Sequence, residues 1–269
     1  DFIPSAEHPL PEQGIVSRDD QEYILPSYED ILDKLKDPEK RAMLEKKAEQ
    51  GFTKLLLVPF ATPLSILIER YKQILLKTHQ ESGLKATNGE KLDLDEDNPL
   101  YVWADLIQAD NPETPKDQQI EYGVINYEGE TKEQRGGQYK NELLEDPQNA
   151  WQILLLEDNP DLPAQNQGKI IAGRKQMEAD KTPKEYLRQL QTQESYQGES
   201  GLTPEAALTH WLTYLQEKQT VLDDYQGQGK INWLVGNYLS GFVPYFYWDR
   251  DFRLAYLYRY DPDFRYDDY

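Results

Sequence analysis

The last 25 residues, 245–269, read YFYWDRDFRLAYLYRYDPDFRYDDY and are built almost entirely from four residue types. They include 7 Tyr, 3 Phe, 6 Asp and 4 Arg, and no Lys, Glu, Gln, Ile, Val, Ser or Thr. Rigid amphipathic rings combined with Arg are typical of a recognition surface, because they give contact area at a small entropic cost. Since Asp or Arg stands beside nearly every ring, full burial would leave many charges in the core, which is unfavourable. The segment is therefore predicted to form a mostly exposed binding surface.

Inside the segment, a sparse framework is interleaved with the Tyr, Phe and Asp positions. This framework consists of Trp248, Arg250, Arg253, Ala255, Leu257, Arg259, Pro262, Asp263 and Arg265. The pattern resembles the variable region of the variable proteins of diversity-generating retroelements. In that family, adenines of a template RNA are copied with errors into the gene, so Asn codons of the template become other codons. Changes in the first two bases of AAC or AAT can yield Tyr, Phe, Asp, Asn, Ser or Leu, but never Lys, Glu, Gln, Met or Trp.

The resemblance implies which residues of this chain contact a ligand. The positions that fit the codon rule are Tyr245, Phe246, Tyr247, Asp249, Asp251, Phe252, Tyr256, Tyr258, Tyr260, Phe264, Tyr266, Asp267, Asp268 and Tyr269. The framework residues Trp248, Ala255, Leu257 and Pro262 are expected to be more buried than these, because a scaffold has to survive any change of ligand. Exposed rings such as Tyr256, Tyr258 and Tyr260 are expected to contribute little to stability.

The resemblance also implies a fold. Variable proteins of this family carry the variable segment on a C-type lectin-like fold, which is related to the fold of the formylglycine-generating enzyme. A twisted antiparallel β arrangement flanked by two helices is then expected, with residues 203–223 as one of the helices. Residues 81–200 exceed a minimal lectin core and are expected to be insertions. The family's closing strand, which begins Gly-apolar-Arg, is not contained in residues 1–269.

The rest of the chain favours an α+β fold. Residues 1–26 carry four prolines and no periodicity, which predicts an extended arm before one domain of residues 27–269. Capping residues predict helix starts at Ser27, Thr62, Thr182 and Thr203, and Pro at the first helical position supports the last three. Strands are predicted at 55–58, 101–107, 121–127 and 150–156. These elements do not alternate as they would around a parallel sheet.

The net charge is −20 at pH 7, and it argues against nucleic acid and anionic membrane surfaces, which attract basic patches. The chain has no Cys, so disulfides and thiolate metal sites are excluded. No apolar stretch approaches the length of a membrane-spanning helix, and the N-terminal residues lack the features of a signal peptide. We therefore expect no membrane insertion, while the family resemblance favours a virion or cell surface.

Candidate chemical motifs are weak. Asp93, Asp95, Asp97 and Asn98 are spaced as in calcium loops, but the Gly and Glu that an EF-hand requires later in the loop are absent. The histidines His8, His79 and His210 are far apart in sequence. Nucleophile-elbow, zinc-protease and dinucleotide-binding motifs are missing. The expectation is a non-catalytic protein with no metal and no cofactor.

The leading hypothesis is a ligand-binding protein that displays a hypervariable Tyr, Phe and Asp surface toward a protein on another cell or virus. One alternative is a structural virion or surface component whose tail packs against another subunit. A formylglycine-generating type of enzyme is disfavoured because that oxidase chemistry uses cysteines. A calcium-dependent lectin is disfavoured because its Glu-Pro-Asn and Trp-Asn-Asp motifs are absent, and Trp248-Asp249 is followed by Arg250 where an acid belongs.

Overall fold

The computed structural model describes residues 15–18, 21–34, 36–157, 162–227 and 229–265. Helices and strands are mixed without regular alternation, so the predicted α+β class is confirmed. The described residues form eight α-helices: α1 (Tyr28–Lys34), α2 (Pro38–Glu49), α3 (Leu64–Ser82), α4 (Ala104–Ala109), α5 (Lys132–Arg135), α6 (Lys140–Leu143), α7 (Pro183–Thr192) and α8 (Pro204–Lys218). Three short 3-10 helices span Lys116–Gln118, Pro147–Ala150 and Glu194–Tyr196.

The strands are short except for four. In chain order they are β1 (Ile15–Arg18), β2 (Gln21–Ile24), β3 (Phe52–Val58), β4 (Leu84–Lys85), β5 (Lys91–Leu92), β6 (Leu100–Val102), β7 (Glu121–Tyr122), β8 (Gln138–Tyr139), β9 (Gln152–Glu157), β10 (Ile170–Ile171), β11 (Arg174–Lys175), β12 (Asp224–Tyr225), β13 (Asn232–Trp233), β14 (Asn237–Tyr238), β15 (Val243–Asp249) and β16 (Leu254–Tyr260). The central sheet has the order β12-β15-β16-β6, and β13 also pairs with β15. The smaller sheets are β3-β9, β14-β7-β8 and the pairs β1-β2, β4-β5 and β10-β11.

Local capping explains where several helices begin. At α1, Ser27 and Asp30 bond reciprocally, since the Asp30 amide donates to Ser27 Oγ and the Ser27 amide donates to Asp30 Oδ2. Thr182 and Glu185 form the predicted capping box of α7. Thr203 Oγ1 caps α8 by accepting from the Ala206 amide. These three predicted starts are confirmed, and in each the cap residue satisfies backbone donors that have no partner within the helix. The predicted cap at Thr62 is wrong, because α3 begins at Leu64 and the Leu64 amide donates to Asp110 Oδ2 instead.

The main core lies between helices α3 and α8 and one face of the central sheet. Tyr71 and Leu75 of α3 and Trp211 and Leu215 of α8 are all buried in it. A second apolar cluster covers the opposite face of the sheet and includes Tyr186 of α7. The central sheet is therefore covered on both faces over much of its area.

Three organisational predictions are corrected by the structure, and one of them is the predicted strand 121–127, of which only Glu121–Tyr122 is a strand. Within the supposed arm, 15–18 and 21–24 pair as an antiparallel hairpin, while residues 1–14 and 19–20 lie outside the described residues. The predicted strand 101–107 is instead the short strand β6 followed by helix α4. Over so few positions, the apolar residues fit the spacing of a strand and that of a helix equally well. The strand ends early because its parallel pairing with β16, which involves residues distant in sequence, covers only Leu100–Val102.

A buried ion cluster joins the hairpin β1–β2 to the helical layer. Asp110, after α4, accepts from Arg18 Nη1 at 3.2 Å and from Lys140 Nζ at 2.8 Å. Lys140 Nζ also donates to Glu205 Oε1 at 2.8 Å, and the Tyr122 hydroxyl donates to the same oxygen at 2.9 Å. Two cations here face two carboxylates, so the charges balance. Such a cluster holds elements in register, because removing one partner leaves a buried charge uncompensated.

Candidate binding surface

The predicted variable segment forms most of the central hairpin of the fold. Strands β15 and β16 are antiparallel, and seven residue pairs run from Val243 opposite Tyr260 to Asp249 opposite Leu254. Residues 250–253 make the turn between them. Residues directly opposite each other in such a pair point to the same side of the sheet. The hairpin therefore has an inner face and an outer face, each with its own set of rings.

The inner face belongs to the main core. Trp248, Ala255 and Leu257 are fully buried there, which confirms the prediction that they are more buried than the Tyr and Asp residues between them, whereas Pro262 is only partly buried. Phe246 is also fully buried, with its ring centroid 4.1 Å from that of Trp211. Its prediction as a ligand-contacting residue is therefore wrong. The physical reason is the two-residue period of a strand, which puts residue 246 on the same side as residue 248.

The outer face carries a ladder of tyrosines. Tyr247 and Tyr256 stack at 5.2 Å with an interplanar angle of 9°, and Tyr245 meets Tyr258 edge-to-face at 6.1 Å. Beyond them lies Tyr101 of β6, 5.3 Å from Tyr256. Pairs at these separations prefer offset or edge-to-face geometry and add to the energy of burial.

Burial decreases along this ladder. Tyr245 and Tyr247 are buried, Tyr256 and Tyr258 are partly buried, and Tyr101 is 42% exposed. Tyr245 and Tyr247 were predicted to be exposed binding residues, and that prediction is wrong. Trp233 packs on Tyr245 at 5.1 Å, and the ring of Tyr225 packs on Tyr247 at 5.6 Å. The rings that cover them come from strands β13 and β12.

The turn of the hairpin is fixed by Asp249. Its Oδ1 accepts from the backbone amides of Asp251 and Phe252 at 2.9 and 3.0 Å, and its Oδ2 accepts from the Tyr247 hydroxyl at 3.3 Å. Asp249 is buried, so its predicted role as a ligand contact is wrong, and it serves the turn instead. Asp251 and Phe252 project from the turn, and Phe252 is 62% exposed.

The framework arginines are held by the scaffold. Arg250 Nε and Nη2 donate to the two oxygens of the buried Asp224 at 2.7 and 2.6 Å, and Nη2 also donates to Glu90. Its hydrogen bonds to Asp224 and then Glu90 raise the pKa of Arg250 above its usual value. Arg253 pairs with Asp93 at 2.8 Å.

The other two arginines are also engaged. The guanidinium of Arg259 lies 4.3 Å from the ring centroid of Trp103 and 3.5 Å from that of Phe242. Arg265 pairs with Glu185 of α7 at 2.9 Å. The four framework arginines thus attach the hairpin to neighbouring parts of the chain. The surface that the hairpin offers to a ligand then consists mainly of its accessible aromatic rings.

We define the aromatic patch as the accessible rings on and beside the hairpin. Its members are Tyr101, Phe252, Tyr256, Tyr258, Tyr260 and Phe264. Tyr260 and Phe264 stack at 3.6 Å. Burial, with Asp249 and Tyr101 nearby, raises the pKa of Tyr256, so its hydroxyl stays protonated at neutral pH and both donates and accepts. The predicted residues Tyr266, Asp267, Asp268 and Tyr269 lie outside the described residues.

Tyr101 was missed by the sequence-based site prediction. It stands far from the segment in sequence and enters the patch through the parallel pairing that places it beside Tyr256. The codon pattern carries no signal for this residue. Only its place in a short apolar run marked it as strand-forming.

The acidic loop and the histidines considered as candidate sites show no arrangement typical of metal binding or catalysis among the described residues. No group of three or more His, Cys, Asp or Glu side chains that could hold a metal ion occurs among the described residues. In the acidic loop, Asp95 accepts from the amides of Asp97 and Asn98, and Asp93 pairs with Arg253. His79 lies 3.1 Å from Glu96. Within the part of the chain that is described, no helix has both the length and the apolar character needed to cross a membrane.

The chain was compared with known protein families, curated proteins and solved structures. No protein-family model, no curated protein and no solved structure matches it significantly.

Proposed function

We propose that this protein is a non-catalytic binding protein that presents the aromatic patch to a protein ligand. The observation that carries the proposal is the different placement of two groups of side chains within the hairpin. Most framework side chains are buried, ion-paired or stacked on rings, while the rings of the aromatic patch stay accessible on the two-stranded hairpin. Exposed apolar patches of this kind mark interaction sites on soluble proteins.

The composition of the patch supports protein recognition. Tyr and Phe supply large contact areas with few rotatable bonds, so little entropy is lost when they are covered. The Tyr hydroxyls add hydrogen bonds at the same positions. Because the nearby arginines are already paired, affinity should come from ring burial more than from charge, and truncating Tyr258 to Ala should weaken binding by about 2 kcal/mol.

We propose further that the segment is diversified by a retroelement and that the domain has a C-type lectin-like fold. The framework positions that the codon rule spares include Trp248, Ala255 and Leu257, which are buried. Positions that the rule allows to vary include the exposed Asp251 and Phe252. Two long helices, α3 and α8, flank the sheet that contains the hairpin. Such a protein belongs on a virion or cell surface.

The genetic part of this proposal is tested on the coding DNA. An adenine-rich near-copy of the sequence that encodes residues 245–269 is expected beside a reverse transcriptase gene. Sequencing many clones of one lineage should then find changes at the codons of Asp251, Phe252, Tyr256, Tyr258 and Tyr260. The codons of the framework serve as the internal control and should stay constant. Changes spread evenly over both groups would reject diversification.

The binding part is tested with two matched libraries displayed on yeast. The first varies Asp251, Phe252, Tyr256, Tyr258 and Tyr260 with the codon set NNC. The second varies Tyr245, Phe246 and Tyr247, which obey the same codon rule but are buried. Lysozyme is the probe protein. The first library is expected to be displayed far better than the second and to yield binders, while the second is expected to lose display.

A well-displayed first library without binders would contradict the recognition role. The alternative of subunit packing is checked on the parental chain by light scattering. If the chain self-associates and the exposed substitutions Phe252→Ser and Tyr260→Ser make it monomeric, the patch is a subunit interface.

A further inference from the structure

A second potential site lies away from the aromatic patch. It is a cavity of about 430 Å³ bounded by strand β9, the segment 198–202, helices α2, α7 and α8, and strand β13. Cavities that hold small ligands have volumes of about 300 to 1,000 Å³. The space is therefore sufficient for a small molecule and too small for a folded partner.

The walls of the cavity are mainly apolar. The side chains that line it include Phe52, Leu154, Leu190, Leu222 and Ile231. A predominantly apolar lining favours a ligand with an apolar body, since the gain from burial scales with the apolar area removed from water.

The charged groups at one end of the cavity neutralise one another. Arg174 is almost fully buried, and its Nε and Nη2 donate to the two oxygens of Glu199 at 2.7 and 2.8 Å. Arg174 Nη1 donates to Glu157 at 3.3 Å, and Lys47 Nζ donates to Glu199 at 2.6 Å. Two cations thus face two carboxylates. A charged ligand would find no free counter-charge here and would lose its hydration without compensation.

Asp223 is the other acid on the cavity wall. Its Oδ2 accepts from Trp211 Nε1 at 3.1 Å and from Asn232 Nδ2 at 3.4 Å. The carboxylate is therefore engaged with the scaffold, and it opposes the entry of an anion.

His210 of α8 also lines the cavity, and it carries a polar atom without a hydrogen-bond partner among the described residues. Its Nδ1 is buried and has no hydrogen-bond partner in the described structure. Burial, with a smaller effect of Lys54, lowers the pKa of His210 to about 4, so the ring is neutral at neutral pH. A neutral imidazole with its proton on Nε2 offers Nδ1 as an acceptor. Buried acceptors without partners are unfavourable, and a ligand donor would satisfy this one.

We propose that this cavity binds an uncharged, mostly apolar molecule that carries one N–H or O–H donor, which His210 Nδ1 accepts. The apolar walls hold the body of the molecule, and the neutralised cations together with Asp223 disfavour an anion. This site is independent of the aromatic patch, so either proposal stands if the other fails.

The test uses the fluorescent probe N-phenyl-1-naphthylamine, which is neutral, apolar and has a single N–H. Its N-methyl derivative, which lacks the donor, is the matched control. The wild-type chain is expected to bind the N–H probe saturably at one site, about ten-fold more tightly than the N-methyl probe, which corresponds to about 1.4 kcal/mol. This comparison needs no variant, so it does not depend on a substitution being tolerated.

Two substitutions complete the test. His210→Phe keeps a ring at this position but removes the acceptor, so the two probes should bind it equally. Leu154→Trp fills the cavity and should weaken both probes ten-fold or more, with folding checked by circular dichroism. The proposal is overturned if the wild type shows no saturable binding, or if it binds both probes equally. It is also overturned if a folded Leu154→Trp variant binds as the wild type does, or if an anionic naphthalene sulfonate binds as tightly as the neutral probe.

Discussion

Two chemically identical substitutions in the hairpin, Phe246→Ser and Phe252→Ser, are expected to differ greatly in their effect on stability. Phe246 is fully buried, and its ring lies 4.1 Å from that of Trp211 and 5.8 Å from that of Tyr71. Phe252 is 62% exposed at the turn. The codon rule allows both Phe and Ser at each of these positions. Comparing the two variants therefore tests whether a position that the rule allows to vary can do so without loss of stability.

The magnitude follows from the burial of each ring. Removing a buried Phe side chain down to Ala costs about 3 to 5 kcal/mol, which includes the cavity that remains. A Ser hydroxyl without a partner in that cavity adds about 1 kcal/mol or more. We therefore expect Phe246→Ser to lower the free energy of unfolding by about 4 to 6 kcal/mol, against a typical total of about 5 to 15 kcal/mol. Phe252→Ser should stay within about 0.5 kcal/mol of the parent.

Urea denaturation followed by circular dichroism measures both values by linear extrapolation. Tryptophan fluorescence should give the same midpoint, which checks for a two-state transition. If Phe246→Ser cost less than about 1 kcal/mol, the hairpin would not be the centre of the core, and the assignment of its inner face would have to be withdrawn.

Three further outcomes are expected. Asp224→Ala should lower the free energy of unfolding by about 2 kcal/mol, because it breaks the ion pair of the buried Asp224 with the partly buried Arg250, and urea melts that match the wild type would contradict this. Tyr256→Ser should cost about 1 to 2 kcal/mol, since its ring stacks on Tyr247, whereas Tyr260→Ser should leave the melting temperature within a degree or two; equal effects would refute the burial gradient. The folded-state pKa of His210 lies near 4, below its usual value of 6.5, so the unfolded state binds the proton more readily. The stability contributed by the neutral His210 ring is therefore fully present above pH 6.5 and is lost as the pH falls toward 4. His210→Phe should remove up to about 3 kcal/mol of this pH dependence, as measured by urea midpoints at pH 4.5 and 7, and an unchanged dependence would show that the ring is not buried as described.

The same hairpin serves both as core and as surface, and this limits the positions that the proposed diversification would be free to vary. Phe246 obeys the codon rule, yet a polar residue there would empty the centre of the main core. Tyr245 and Tyr247 are covered on the outer face. Under the proposed diversification, the positions free to vary are accordingly the exposed turn and the outer edge of β16, and the codon rule overestimates this set because it contains no information on burial.

The sequence by itself determined the local features of this protein. Reciprocal capping at Ser27 and Asp30 and at Thr182 and Glu185 fixed two helix starts, because a cap bonds only to backbone within a few residues. The scaffold role of Trp248, Ala255 and Leu257 was also readable, since their residue types break the Tyr, Phe and Asp pattern. The α+β class followed from the irregular order of predicted elements.

Only the tertiary structure decided which rings are covered. Strands β12 and β13 bring Tyr225 and Trp233 over Tyr247 and Tyr245, and β6 brings Tyr101 to the edge of the patch. All these contacts join residues that are distant in sequence, and no local pattern encodes them. Burial depends on what packs above a side chain, so the chemistry of the segment alone could not separate its covered Tyr and Phe rings from its exposed ones.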